Sequence, residues 1–355
     1  MEKLSLLIFT AITLLIPSLR KAFFSCDITS KAIKIKERIL FFDFLKGAAI
    51  IAVILIHVAH FYLYSPAFEH NRLFIVLMNN VGRFAIPLFF ICSGILLTPP
   101  ENKRQLFSFY YKKFFRIFIP YLLFTFGIFL YKNSSFSEFL YNIISGNASL
   151  PYYFIIVLFQ FYIIYPILLE FKEKKWFLPA SFCISLLYFF YPTRIFGIPL
   201  FTDYLFFFAY GMCKREYFLN YKSNKSLLKY WVTIVLLYIT ISNIWPEIYY
   251  NSGFFYSIAV LNLLFYYKDS IFSLRTIFNS ISKIGNTSLW IFLIHFPIIS
   301  IIYSTLNKFN INFYFIFFII FALSLVLSYI LSFILMNLYT YLLNPKLYRS
   351  AKERN

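Results

Sequence analysis

Ten long apolar segments fill the sequence after residue 39, at about 40–64, 73–97, 114–131, 151–169, 176–192, 199–213, 227–245, 253–267, 284–305 and 313–341. Most approach the roughly 20 apolar residues that a helix needs to cross a bilayer. The sixth and eighth are short. The runs are continuous and do not alternate, which favours helices over a membrane β-barrel. The expected fold is therefore all-α, a polytopic membrane bundle of about ten helices over residues 40–341. Residues 1–39 form an N-terminal extension and 342–355 a basic tail. With 61% apolar and only 13% charged residues, the chain is neither a soluble enzyme nor a disordered polymer.

The charges sit between the apolar segments. If the stretch before residue 40 lies inside, alternate connections place 24 Lys and Arg inside and 4 outside. That asymmetry predicts a cell-membrane protein with a cytoplasmic C-terminus. It also accounts for the net charge of +19 without invoking nucleic acid. Leu4–Pro17 is apolar but short. It reads as a signal-like segment, an interfacial helix or an eleventh span, and a retained, partly inserted extension is favoured. The cysteines Cys26, Cys92, Cys183 and Cys213 are scattered and read as small apolar filler. No HExxH pattern or clustered Cys/His set suggests a metal.

Ionisable groups at membrane depth are costly, so the few present are functional candidates. The first segment carries Asp43, Lys46, His57 and His60, and the second Arg83. Asp203 falls in the sixth and His295 in the ninth. Asp43 and Lys46 are spaced to pair at i,i+3. Lys46 and His57 are eleven residues apart, which on a helix is about 20° from eclipsed with a rise of about 16 Å. They share one face at different depths. Arg83 lies about 15 Å along the returning helix, level with His57, so the two can meet in one cavity. Each group also has a plainer role: Lys46 snorkelling, the histidines in packing, Asp203 at the surface. Lys113 and Arg116 at i,i+3 could take phosphates at the inner surface, or serve as ordinary flanking charge.

Four stretches resemble the acyltransferase-3 family of integral membrane O-acyltransferases, closest in flavour to its surface-polysaccharide branch. FFDFLKGAAIIAVILIH resembles the first-helix motif through Asp43, Gly47 and His57. NNVGRFAIPLFFICSGILL resembles the second, through Arg83, Pro87, Phe89, Phe90, Ser93 and Gly94. YYKKFFRIFIPYLL offers Lys113, Arg116, Pro120 and Tyr121, and IGNTSLWIFLIHFPII offers Ser288, His295 and Pro297. Lys46 and Lys113 stand where the family usually has Arg, keeping charge but losing the bidentate fork.

The resemblance implies a cytoplasmic acyl-CoA co-substrate, no permanently bound cofactor, and an acceptor hydroxyl on a glycan or lipid-linked sugar. Acetyl is the first expectation for the acyl group. His57 is then expected as general base, or as the site of an acyl-histidine, with Arg83 stabilising developing charge. Asp43, Lys46, Ser93 and Tyr121 would support them. Lys46, Lys113 and Arg116 would meet the donor's phosphates. The rival readings are a carrier that exports a polysaccharide or lipid-linked sugar without acylating it, and an inactive membrane scaffold.

Overall fold

The computed structural model describes residues 10–11, 13–26, 36–191, 194–221, 225–244, 253–309 and 312–343. Much of the N-terminal extension and nearly all of the basic tail lie outside these residues. All ten apolar segments are helical, and among the described residues there is only one isolated β-bridge, Ile195 to Ile198. The main helices are α1 (Pro17–Phe24), α2 (Lys36–Leu63), α3 (Arg72–Val81), α4 (Ala85–Leu96), α5 (Lys103–Lys113), α6 (Ile119–Lys132), α7 (Phe136–Ser145) and α8 (Tyr153–Phe171). They continue with α9 (Phe177–Phe190), α10 (Leu205–Cys213), α11 (Lys225–Ile244), α12 (Gly253–Tyr266), α13 (Arg275–Asn286), α14 (Ser288–Leu306) and α15 (Phe313–Leu343).

Among the described residues, seven helical stretches are long and apolar enough to cross a membrane: Leu40–Leu63, Ala67–Leu96, Lys103–Lys132, Leu150–Phe171, Lys225–Ile244, Ser288–Leu306 and Phe313–Leu343. The remaining three, α9, α10 and α12, have 14, 9 and 14 residues and fall short of that length. The chain is a multi-pass helical membrane protein. Its outer faces fit lipid: on α15, Phe315, Ile334 and Leu338 are exposed while Ser324, Ser328 and Ser332 face inward.

Prolines set the irregularities. Pro87 cannot donate to the Arg83 carbonyl, and a 3₁₀ turn over Gly82–Phe84 separates α3 from α4. Pro120 cannot donate to the Arg116 carbonyl, and the preceding turn, Phe114–Phe118, widens to a π-helix. Pro297 lies inside α14 and leaves the Leu293 carbonyl without its helical donor. The Tyr152 hydroxyl fills that vacancy, donating to Leu293 O at 2.7 Å. The polar demand of one broken helix thus fixes its neighbour.

Two elements depart from the sequence reading. Residues 275–283, expected as part of a basic connection, belong to the amphipathic helix α13, which runs on into the ninth apolar segment and packs along the start of α2. Gly47 and Gly285 permit this approach, since a Cβ on Gly285 would lie 1.7 Å from the Asp43 carbonyl oxygen. At the other correction, Cys26 and Cys213 are joined by a disulfide, so these two are not filler. The bond ties the end of α1 to the end of α10. Phe23 of α1 is fully buried, packing edge-on against Trp231 and Phe255. The described part of the extension is therefore built into the bundle.

Candidate active site

The site begins with the register of α2. Asp43 and Lys46 form the i,i+3 ion pair at 2.6 Å, one end of the helix being held by α13. Three turns further on, His57 is the next ionisable side chain of that helix. It does not face lipid. Its ring lines a cavity of about 1030 Å³, together with His60, Asn79, Arg83, Asp203 and Tyr204. Arg83 projects from the 3₁₀ turn before α4 and interacts electrostatically with both His57 and His60. It also interacts with Tyr204 across the cavity, whose hydroxyl hydrogen-bonds that of Tyr153.

The cavity reaches the end of the bundle opposite the basic loops. Tyr64, Asn147 and Arg194, from connections between helices, contribute to its wall. Asp203 stands in the 3₁₀ turn that leads into α10, with one carboxylate oxygen buried and unpartnered. Arg194 supplies an opposing charge. Crossing of α10 and α4 is close, because Gly94 meets Gly211: a Cβ on Gly211 would lie 2.2 Å from the Ile91 carbonyl oxygen. The cavity wall at Asp203 is thereby tied to the helix that starts beside Arg83.

At the basic end, Lys113 Nζ lies 4.2 Å from the Tyr162 ring centroid and 5.6 Å from that of Phe109. Arg116 and Lys46 are both within electrostatic range of Lys113. The Tyr162 hydroxyl in turn lies near Ser93 on α4 and within electrostatic range of Arg116. A second hollow of about 230 Å³ opens here, lined by Lys113, Tyr110, Phe114, Phe159 and Tyr162 among others. The two hollows share no lining residue.

The sequence-derived candidates thus fall into two groups. Asp43, Lys46, Ser93, Lys113 and Arg116 gather at the basic end. His57 and Arg83 meet in the large cavity. Tyr121 joins neither: it is buried, and its hydroxyl donates to the carbonyls of Asn142 and Ile143, capping α7. Sequence reasoning did not single out Tyr162 or Tyr204, which are hidden among 30 tyrosines. It also gave His295 no role, although the ring lies 5.2 Å from that of His57.

Comparison with known proteins identifies the family of the chain. The family described as "Acyltransferase domain" matches residues 39–336. No curated protein and no solved structure matches the chain. The matched span takes in α2 through most of α15, and so contains both groups of polar residues. The chain belongs to the acyltransferase-3 family and is a membrane acyltransferase.

Proposed function

We propose that this acyltransferase moves an acyl group, acetyl in the first instance, from acyl-CoA to a hydroxyl of a glycan or lipid-linked sugar. The observation that carries the reading is the division of the polar residues. Three cations, Lys46, Lys113 and Arg116, gather at one end. An imidazole and a guanidinium face the cavity at the other. The cations suit the phosphates of CoA. The cavity offers hydroxyl, amide and carboxylate partners from Asn79, Tyr153, Tyr204 and Asp203, which suits a polyhydroxylated acceptor. On this reading the basic end faces the cytosol of a cell membrane and the cavity faces outward.

The chemistry follows from the site. His57 takes the proton of the acceptor hydroxyl as its oxygen attacks the thioester carbonyl. A C–O bond forms, the C–S bond breaks, and the proton passes from the imidazole to the departing CoA thiolate. Arg83 stabilises the oxyanion that develops between these events, where exclusion of water strengthens the interaction. The donor's thin pantetheine arm must pass from the Lys113 hollow, by way of Ser93 and Tyr162, to His57. Lys46 and His57 are separated by about 16 Å of helix rise, which sets the length of that path.

The test is CoA thiol release and acylation of an added glycan by protein in vesicles, for the wild type and His57→Ala. The expected result is acceptor-dependent thiol release that falls by about 10²–10⁴-fold in the variant, the range for loss of a general base. Full transfer by a folded His57→Ala would overturn the assignment of the base.

A further inference from the structure

The proposed chemistry leaves His295 unused, yet it is fully buried beside the proposed base. The ring centroids of His57 and His295 are 5.2 Å apart, with the planes inclined at 44°. Nδ1 of His295 hydrogen-bonds the Ile291 carbonyl at 3.0 Å. A carbonyl oxygen only accepts, so Nδ1 carries the hydrogen and Nε2 of the neutral ring is a bare acceptor. That Nε2 is buried and has no partner. On the other ring, Nδ1 of His57 is likewise buried and without a partner. Since His57 lines the cavity, its Nε2 is left as the nitrogen presented to substrate.

Two buried, unpartnered ring nitrogens of complementary kind on adjacent rings are costly unless something uses them. We propose that His295 is a positioning residue: the two nitrogens stand on adjacent rings but unbonded in the structure, and in the working enzyme a small ring rotation lets His295 Nε2 accept a hydrogen bond from Nδ1–H of His57, fixing the tautomer in which His57 Nε2 is free to take the acceptor's proton. When that proton arrives, His57 becomes doubly protonated, and the same contact stabilises the Nδ1–H. His295 itself neither gains nor loses a proton. The backbone around it is arranged for this. Pro297 frees the Leu293 carbonyl, Tyr152 ties it down, and α14 is held in the register that points His295 at α2.

The inference rests on His57 being the base, so the experiment measures both residues. Three variants are compared with wild type: His57→Ala, His295→Phe, and His295→Gln, whose side-chain oxygen can replace the Nε2 acceptor. His295→Phe keeps a ring of similar bulk but removes the acceptor. It is expected to lower kcat for acyl transfer by about 10–100-fold while leaving KM for acyl-CoA unchanged, with His295→Gln recovering a large part of the loss. The acidic limb of the pH–rate profile should also move to lower pH in His295→Phe, because the protonated His57 loses its acceptor. His60 and Arg83 also act on His57, and Tyr204 and Asp203 line the same cavity, but all four are unchanged between the variants and cannot account for a difference. If His57→Ala is inactive while His295→Phe keeps wild-type kcat and pH profile, the positioning role is overturned and the base assignment stands. If His57→Ala is fully active, the base assignment itself fails. Equal loss in His295→Phe and His295→Gln, with an unshifted profile in the folded fraction, assigns His295 to packing and also overturns the inference.

Discussion

At the scale of single residues, charge placement decides the roles. Lys113 stacks over the Tyr162 ring, and Lys46 and Arg116 add to the same field. Reversing both Lys113 and Arg116 to Glu should raise KM for acyl-CoA at least tenfold with a smaller change in kcat, as initial rates at varied donor concentration will show. Arg83→Leu belongs to the opposite case. It removes a charge that acts on the developing oxyanion, so kcat should fall by about 10²–10³-fold with KM for the donor nearly constant. Some of this was legible from residue spacing alone. The Asp43–Lys46 pair follows from the i,i+3 rule, and the level of His57 with Arg83 follows from counting 1.5 Å per residue. The pairing of His57 with His295 was not legible, because helix periodicity relates residues within a segment and says nothing about which distant segment packs beside it.

At the scale of elements, close backbone contacts hold the site in place. In an unconstrained helix, Gly to Ala gains up to about 1 kcal/mol of helix propensity. Gly285→Ala should do the reverse, since the new Cβ would strike the Asp43 carbonyl and push α13 off α2. The expected loss is about 1–3 kcal/mol, seen as a lower unfolding midpoint in detergent, whereas Gly127→Ala, which meets nothing, should not destabilise. Tyr152→Phe would leave the Leu293 carbonyl unsatisfied and should cost about 1–2 kcal/mol by the same measurement. The apolar runs gave away nearly every long helix, because lipid leaves the backbone no alternative. The helix α13 was missed because its charges, Arg275 and Lys283, suggested a loop. Its signal was the spacing of Phe278, Ile281 and Gly285 on one face. Of the three short helices, α10 and α12 were readable as short from their apolar segments, whereas α9 was readable as apolar but not as short, since packing against other helices rather than bilayer thickness sets where it ends.

At the scale of the whole molecule, the central claim is that the donor and acceptor are handled at opposite ends of one bundle. The Cys26–Cys213 bond lies at the basic end, next to Lys214, whose ammonium donates to Ser25. A cytosolic setting holds such pairs as thiols. If that end faces the cytosol, therefore, the pair that is joined in the structure should be found reduced in intact cells, so that both cysteines react with a thiol reagent without prior reduction once the protein is rapidly denatured. The most direct test is sidedness in vesicles where the protein has a single known orientation. Acyl-CoA is supplied only on the side of Lys113 and the glycan acceptor only on the side of His60 and Arg194. Acylated glycan is expected under that arrangement, and none when donor and acceptor are both confined to the Arg194 side. Equal product from both arrangements would contradict the central claim.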